Sequence, residues 1–331
     1  MKIVHWTDFP ASGMNYFADS LVKAEKVLGL NSQLVNVKSL TEDGIDSVMD
    51  ADIHVAHTHL PSYISQRSKN KNYKTIFMLV TPIECSFFTS ITESILGYGS
   101  GDPWMVFQHA LKTSDAIVTF GPRYTQIIKT MVDKATIVFE TYTGIDKSFW
   151  HPVPCEGKYS GNPSVLWAET AMARGTHNFK SPYDLLITWP MVTPRVKGAP
   201  CLHLIGIRPE FHRWVFPLIN SNDCSYTSHV ASSLFDHNRL RAVLSAVDYF
   251  IGLVDYGDTN MLCMQANACG VKTISYPGNP FSDFWIPAGD QRFQADALVD
   301  IFNNKTQPRA KTTVPAISET ALAMESLYKL L

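Results

Sequence analysis

The sequence is poor in charge and has no excess of positive charge. Only 18% of its 331 residues are charged, and 28 Lys and Arg against 30 Asp and Glu give a formal net charge of -2. Such a chain has no strong positive field, which excludes a non-specific coat for a polyanion such as DNA. The low charge and the 11% of aromatic residues also exclude an intrinsically disordered chain. For a folded chain, a length of 331 residues predicts about two domains.

Long apolar runs and paired cysteines are missing as well. No window approaches the ~18 apolar residues of a transmembrane helix, and Met1–Asp8 turns polar too soon for the core of a signal peptide. The cysteines form no CxxC pair and no zinc pattern, so we expect buried free thiols. They are Cys85, Cys155, Cys201, Cys224, Cys263 and Cys269. The expected localisation is cytoplasmic.

The sequence does contain a regular alternation of short apolar runs with segments of helical period. Lys2–Trp6 predicts a first strand and Met14–Leu28 a first helix. The alternation stops in a stretch rich in proline and glycine, residues 149–163, and starts again with the predicted strand Ser164–Ala168. Short strands separated by helices are typical of open, doubly wound parallel sheets. The predicted fold class is α/β, with two tandem Rossmann-like domains.

The first strand-to-helix loop contains the small residues Ser12 and Gly13. Backbone N–H groups of such a loop can approach a phosphate at the N-terminus of the following helix. The loop has neither the GxGxxG fingerprint nor the Lys-Ser/Thr of a P-loop. A plain turn explains it about as well.

Two loops of the second half carry stronger signals for an anionic ligand. The loop after Ser164–Ala168 begins with Glu169 and contains Arg174 and Lys180, two cations that could clamp a diphosphate and stabilise its charge as it leaves. Two solvated surface charges are the alternative. Further on, a glycine turn at Gly257 precedes a helix predicted for Thr259–Ala268, whose N-terminus again offers backbone donors.

Three segments of the sequence resemble GT-B glycosyltransferases of family 4. Gln265–Val271 resembles the E-A-M-A-C-G-x-P-V-I segment of that family, and Val247–Ile251 is similar to its A-D-V-F-V strand. Thr143–Asp146 with Phe149 and Pro152 resembles its inter-domain N-G-V-D-x-x-x-F-x-P segment. Ser12-Gly13 is also similar to the family's N-terminal glycine loop, and Arg174 and Lys180 fall where its Arg/Lys pair contacts the donor diphosphate. Because these five matches occur in the family's order along the chain, the protein is identified as a divergent member.

The resemblance implies a division of labour between the two domains. Residues 1–152 would form the acceptor-side domain, residues 153–312 the nucleotide-sugar donor domain, and residues 313–331 a helix packing back on the first. The implied activity is transfer of a sugar from a nucleotide-diphosphate sugar, UDP- or GDP-linked and with retention, to a hydroxyl of a saccharide or lipid-linked saccharide. The resemblance implies no metal and no cofactor, the nucleotide sugar being a co-substrate; it leaves the oligomeric state open.

The resemblance also implies a set of site residues. Arg174 and Lys180 would contact the donor diphosphate during catalysis. Other donor-binding residues would be Ser12, Gly13, Glu169, Gly257, Asp258, Thr259, Asn260 and Gln265. Catalysis would consist mostly of charge stabilisation at the leaving diphosphate.

The chain departs from the family pattern at three places. The family's E-x7-E motif would place glutamates at positions occupied here by Gly257 and Gln265; Gln265 can still hydrogen-bond a ribose without charge, and Asp258 could replace the first glutamate. The family's histidine after the fourth strand is also missing. Glu84 is the only ionisable group there and a catalytic candidate, and Thr81 could bond a sugar hydroxyl on the acceptor side.

Two histidines follow the predicted third strand. His57 is a candidate general base and His59 an acceptor-side candidate, in a stretch that resembles the family's D-x-x-H-x-H. The alternative for His57 is a hydrogen-bonded histidine at a strand end, which is the interpretation we prefer for His54.

Two other functions remain open from the sequence. A viral-type enzyme could glycosylate a hydroxymethylated DNA base, which it would have to flip out of the duplex. A non-catalytic nucleotide-sugar or glycan-binding module could have lost both motif glutamates. An NAD-dependent oxidoreductase is disfavoured because Asn36 and Lys38 supply no acidic ribose ligand after the second strand.

Overall fold

The chain divides into two compact units. The computed structural model describes residues 1–7, 13–37, 42–57, 64, 67–80, 103–154, 159–168, 183–205, 226–229, 237–253 and 260–331. Unit 1 consists of Met1–Asp146 and Pro315–Leu331, and unit 2 is Lys147–Val314. Unit 2 is thus one continuous piece of chain, whereas unit 1 is made of two segments that are distant in sequence.

Unit 1 is built on a parallel sheet whose described strands have the order β2-β1-β3-β4-β5-β6. The strands are β1 (Lys2–Thr7), β2 (Asn31–Asn36), β3 (Ile53–Ala56), β4 (Lys74–Met78), β5 (Ala116–Phe120) and β6 (Ile137–Thr141). The central strands β3 and β5 are buried along their whole length, as expected for a parallel sheet covered on both faces. The order reverses between β1 and β3, which makes their carboxyl ends the switch point where such sheets bind ligands.

Five described helices belong to unit 1. They are α1 (Gly13–Val27), α2 (Glu42–Asp46), α3 (Pro103–Thr113), α4 (Pro122–Met131) and α9 (Ile317–Leu330). The chain leaves α1 at Gly29, whose φ of 83° lies in the left-handed region that glycine adopts without strain. Helix α4 begins with proline at its first position, where no helical N–H bond is lost.

The last helix, α9, packs on α1 and is also tied to the chain that follows β6. The Gly144 N–H donates to Thr320 Oγ1 at 2.9 Å, and that hydroxyl donates to the Tyr142 carbonyl at 3.0 Å. Ile145 and Ala316 pair as an isolated parallel bridge. The C-terminal segment is therefore an integral part of unit 1.

Unit 2 has a second parallel sheet, with the described strands in the order β12-β11-β10-β7-β8-β9. The strands are β7 (Ser164–Ala168), β8 (Cys201–Ile205), β9 (Tyr226–His229), β10 (Tyr249–Gly252), β11 (Lys272–Ser275) and β12 (Phe284–Trp285). Counted from β7, this is the order 3-2-1-4-5-6 of a Rossmann sheet, and its switch point lies between β7 and β10.

The helices described in unit 2 close an apolar core around this sheet. They are α5 (Tyr183–Val192), α6 (His237–Leu244), α7 (Met261–Ala268) and α8 (Gln291–Phe302). Helices α5 and α8 pack on each other, and Trp189 of α5 is buried edge-on against Phe302 of α8. The Thr188 hydroxyl donates to Gln294 Oε1 at 3.3 Å, so these two buried polar side chains pair with each other across the contact.

Two expectations about composition can be compared with the described part of the chain. None of its helices is both long enough and apolar enough to cross a membrane. Cys201, Cys263 and Cys269 are buried free thiols, as expected, and burial raises the pKa of Cys263 to about 12.

Candidate functional site

The predicted donor loops of unit 2 start from neighbouring strands. In β7 and β10, Val165 pairs with Tyr249 and Leu166 with Phe250. The chain continues from β7 into the segment that contains Glu169, Arg174 and Lys180, and from β10 into the segment that contains Gly257, Asp258 and Thr259. Both segments therefore begin at the carboxyl edge of the sheet, at its switch point.

The predicted site residues fall into two groups. Ten lie outside the described residues: Ser12, His59, Thr81, Glu84, Glu169, Arg174, Lys180, Gly257, Asp258 and Thr259. Four are described: Gly13, His57, Asn260 and Gln265.

Asn260 is the N-cap of helix α7. Its Oδ1 accepts hydrogen bonds from the N–H groups of Leu262 at 2.9 Å and Cys263 at 3.3 Å. The cap thus satisfies two of the N–H groups that an uncapped helix would leave open to an anion. Because Oδ1 of Asn260 is bonded within the protein, only the amide Nδ2 is left to contact a nucleotide-sugar donor.

Replacing Asn260 separates its capping role from a role in donor binding. We expect Asn260→Ala to lower the free energy of unfolding by about 1 kcal/mol, because two helix N–H groups lose their acceptor. Asn260→Asp keeps both acceptor bonds and should retain the stability. If the amide Nδ2 also contacts a donor phosphate, Asn260→Asp should weaken nucleotide-sugar binding through charge repulsion. Urea unfolding and ligand titration of both variants measure the two effects separately.

Gln265 lies on α7, the helix that follows β10, and Gly13 lies on α1, the helix that follows β1. Each of these two strands borders the switch point of its own sheet. Gln265 lies in the second turn of α7 and is only 3% exposed. Gly13 is the first residue of α1. Beside it, the hydroxyl of Thr7 at the end of β1 donates to Asn15 Oδ1 at 2.8 Å, which ties the end of the strand to the first turn of the helix.

His57 belongs to a buried polar cluster at the switch point of unit 1. It follows β3 directly, and its backbone N–H donates to the backbone carbonyl of Trp6 in β1 at 3.1 Å. Its Nε2 lies 2.9 Å from Nδ1 of His5, and His5 Nε2 lies 2.9 Å from Glu25 Oε2. The Tyr328 hydroxyl of α9 donates to Glu25 Oε1 at 2.7 Å. We call His5, Glu25, His57 and Tyr328 the Glu25 cluster, and all four are buried.

The charges in the Glu25 cluster follow from burial and proximity. Burial would raise the pKa of Glu25, but the adjacent His5 and the hydrogen bonds from His5 and Tyr328 outweigh it, and the pKa is lowered. Burial, together with Glu25, raises the pKa of Tyr328 well above its usual value. Burial and then His5 hold the pKa of His57 well below its usual value. The cluster therefore contains a carboxylate, a neutral phenol and a neutral His57.

The sequence indicates His57 but not the other three members of the Glu25 cluster. His5 is the fourth residue of a strand, Glu25 lies on the buried face of α1, and Tyr328 lies on α9. A glutamate on an apolar helix face was the one available signal, because a buried carboxylate needs partners. His54 is hydrogen-bonded as expected, since its Nδ1 accepts from Trp6 Nε1 at 3.1 Å.

The described residues contain no group of three or more His, Cys, Asp or Glu side chains that could hold a metal ion. An open depression of about 480 Å³ in unit 2 is lined by Lys147, Trp150, His151, Asn267 and Ala268 and by residues 311–314. It touches α7 at the end opposite to Asn260, and neither Asn260 nor Gln265 lines it.

Sequence comparisons and structure comparisons give different results. Neither a protein-family model nor a curated protein sequence matches the chain. Solved structures do match. Sucrose-phosphate synthase from Thermosynechococcus elongatus has a TM-score of 0.71 at 14% identity, with 100% of this chain and 98% of that chain covered. The catalytic domain of starch synthase IV from Arabidopsis thaliana, bound to ADP and acarbose, has a TM-score of 0.65 at 13% identity, covering 100% and 99%.

A third structure, Anabaena HepE in complex with UDP-glucose, has a TM-score of 0.61 at 11% identity, with 99% of this chain and 95% of that chain covered. Coverage of nearly the whole length of each chain means that both sheets and their order along the sequence are shared. The α/β class and the two doubly wound sheets predicted from the sequence are thereby confirmed. The chain has the GT-B fold and is a divergent member of that fold class.

Proposed function

We propose that this protein is a glycosyltransferase that transfers a sugar from a nucleotide-diphosphate sugar to a hydroxyl. The observation that carries the proposal is the whole-chain likeness to GT-B structures solved with UDP-glucose or with ADP and acarbose. Fold alone does not establish an activity. The proposal therefore also uses the loops that follow β7 and β10 in unit 2.

In the proposed reaction, Arg174 and Lys180 stabilise the negative charge on the leaving diphosphate. Asn260 already satisfies the N–H groups of Leu262 and Cys263, so in this proposal the two cations rather than these N–H groups meet the charge of the diphosphate. Gln265 takes the position of a ribose-binding glutamate, with an uncharged amide. The proposal includes no metal ion or cofactor, and its default acceptor is a saccharide or lipid-linked saccharide.

A thermal-shift screen against UDP-, GDP-, ADP- and CMP-sugars tests donor binding. A true donor at 100 times its Kd should stabilise the protein by about 2.7 kcal/mol and raise the midpoint with concentration. Arg174→Ala and Lys180→Ala should abolish the shift while leaving the unliganded midpoint unchanged. Lys305→Ala is the matched control, because Lys305 pairs on the surface with Asp300. Absence of a shift with every nucleotide sugar would contradict the donor site.

Turnover separates the enzyme from a non-catalytic binding module. Transfer of the sugar from the bound donor to water or to an added saccharide sets the nucleotide free. This release should be detectable in the wild type and lost in Arg174→Ala. Tight donor binding without release on any acceptor, including a hydroxymethylated DNA duplex, would instead identify a binding module.

A further inference from the structure

The heavy atoms of the Glu25 cluster fit two arrangements of its hydrogens. An ionised carboxylate only accepts hydrogen bonds. In both arrangements, Glu25 therefore accepts from the Tyr328 hydroxyl at Oε1 and from His5 Nε2 at Oε2. The arrangements differ at the 2.9 Å contact between His5 Nδ1 and His57 Nε2, because either nitrogen can carry the hydrogen of that bond.

The two arrangements differ in charge by one proton. In the neutral arrangement, His57 Nε2 carries the shared hydrogen and donates it to His5 Nδ1. In the charged arrangement, His5 is an imidazolium and its Nδ1 donates to His57 Nε2. His57 is neutral in both, but its own hydrogen lies on Nε2 in the first and on Nδ1 in the second. The arrangements therefore also differ in the tautomer of His57.

The tautomer of His57 decides what its second ring nitrogen offers to a ligand. Nδ1 of His57 is buried and has no hydrogen-bond partner among the described residues. It presents a lone pair in the neutral arrangement and an N–H in the charged one. His57 follows β3 directly, at the switch point of unit 1. A ligand hydroxyl can pair with this atom in both arrangements, whereas a carboxylate or phosphate oxygen can pair with it only in the charged one.

We propose that His5 and His57 form a one-proton switch that reverses the hydrogen-bonding polarity of His57 Nδ1 with pH. Above the switching pH this atom accepts a hydrogen bond, and below it the atom donates one. During proton uptake, the proton binds to His57 Nδ1 while the hydrogen on His57 Nε2 passes to His5 Nδ1, so that the positive charge rests on His5. The switch goes beyond the proposed glycosyl transfer and does not depend on it.

Two opposing effects act on the charge of the switch. Burial disfavours a charge on His5, whereas the Glu25 carboxylate, 2.9 Å from His5 Nε2, favours it. Burial, and then His5, hold the pKa of His57 well below its usual value, so the added charge is held by His5. In the described part of unit 1, the titratable groups bonded to the pair are Glu25 of α1 and Tyr328 of α9, and Phe17 packs edge-on against His57.

Imidazole ¹H–¹⁵N correlation spectra of the ¹⁵N-labelled protein test the switch without any ligand. As the pH is lowered over the range in which the protein is folded, His5 should change from one N–H group to two. At the same midpoint, His57 should change from the Nε2–H form to the Nδ1–H form. The single variants His5→Asn and His57→Asn assign the signals. A His57 that keeps one tautomer over this range, or that itself becomes imidazolium, would overturn the proposal.

His54 is the internal control for these spectra. Its Nδ1 accepts from Trp6 Nε1, and an indole N–H only donates, so the hydrogen of neutral His54 is fixed on Nε2. Burial, with a contribution from Lys2, lowers the pKa of His54 to about 4. His54 should therefore keep its Nε2–H form above pH 5 while His57 changes. A simultaneous change at His54 would trace the signals to loss of the fold and refute the switch.

Glu25→Gln tests what stabilises the charged arrangement. The amide keeps an acceptor for His5 Nε2 but carries no charge, so the midpoint of the tautomer change should move about 1–3 pH units lower. The matched control is Glu325→Gln, which removes a carboxylate of α9 that pairs with Lys329 on the surface and should leave the midpoint unchanged. An unchanged midpoint in folded Glu25→Gln would contradict the switch. If this variant does not fold, the spectra of the wild type still decide the proposal.

Discussion

Gly144→Ala is expected to destabilise unit 1 by about 3 kcal/mol, because the new methyl group has no space. A Cβ at Gly144 would lie 2.6 Å from both the carbonyl carbon of Ala316 and Thr320 Oγ1, and it would also overlap the carbonyl oxygen of Ala316. Most of these atoms are backbone, which cannot move without separating α9 from the chain after β6. The Gly144 bond to Thr320 would be lost in the same step.

The control for this experiment is Gly29→Ala. Gly29 has a φ of 83°, and no atom lies within 4 Å of the position that a Cβ would take, so alanine there meets only backbone strain. That strain costs about 1 kcal/mol. Urea unfolding of both variants, followed by circular dichroism, measures the difference. Equal losses at the two positions would show that the contact between Gly144 and α9 contributes little to stability.

The second large expected effect is a loss of stability in mild acid, caused by buried histidines. Burial, with a contribution from Lys2, lowers the pKa of His54 from 6.5 to about 4. Between these values the unfolded chain binds a proton that the folded chain refuses, so stability falls as the pH falls. His54 alone should cost about 3 kcal/mol between pH 7 and pH 4, and His57 acts in the same direction.

Glu25 extends this loss below the range of the histidines. Its folded pKa is lowered from 4.5, so its contribution is present above pH 4.5 and disappears as the pH falls through the folded value. The urea midpoint is measured at intervals between pH 7 and pH 4. Because of the buried histidines it should begin to fall at a pH above that at which ordinary carboxylates titrate. In His54→Asn only about half of the decline above pH 4.5 should vanish, because His57, whose pKa is also lowered well below its usual value, contributes the rest. A midpoint that stays level from pH 7 to pH 5 would contradict the assigned burial of His54.

The sequence predicts the fold well where strands are buried on both faces. The short apolar runs Ser164–Ala168 and Cys201–Ile205 each predict a strand. Both are strands with these bounds in the structure, because a central parallel strand is a continuous apolar run that ends where the chain reaches the surface. The two-residue strand Phe284–Trp285 is too short to show a period, and it was not predicted. The helical period near Lys180–Ile187 predicts a helix that ends before Pro190. In the structure the helix continues through Pro190 to Val192, since packing against α8 outweighs the local cost of proline.

The candidate site is predictable to a smaller extent. His57 could be found because it follows a strand directly, and such positions line the ligand edge of a parallel sheet. Its partners could not be found in this way. Tyr328 lies 303 positions from Glu25, and His57 lies 52 positions from His5. Only the packing of α9 on α1 and the pairing of β1 with β3 bring these side chains together.

The two-segment construction of unit 1 has a consequence for synthesis on the ribosome. Residues 1–146 emerge first, but Tyr328, which bonds the Glu25 carboxylate, emerges only after Lys147–Val314 has been translated. At about 5–20 residues per second, that delay lasts roughly ten to thirty seconds. During this interval the nascent first segment must hold a buried carboxylate without its phenol donor, whereas unit 2, being continuous, can fold as soon as it is free. Unit 2 is thus expected to reach its native state first, although it is translated second.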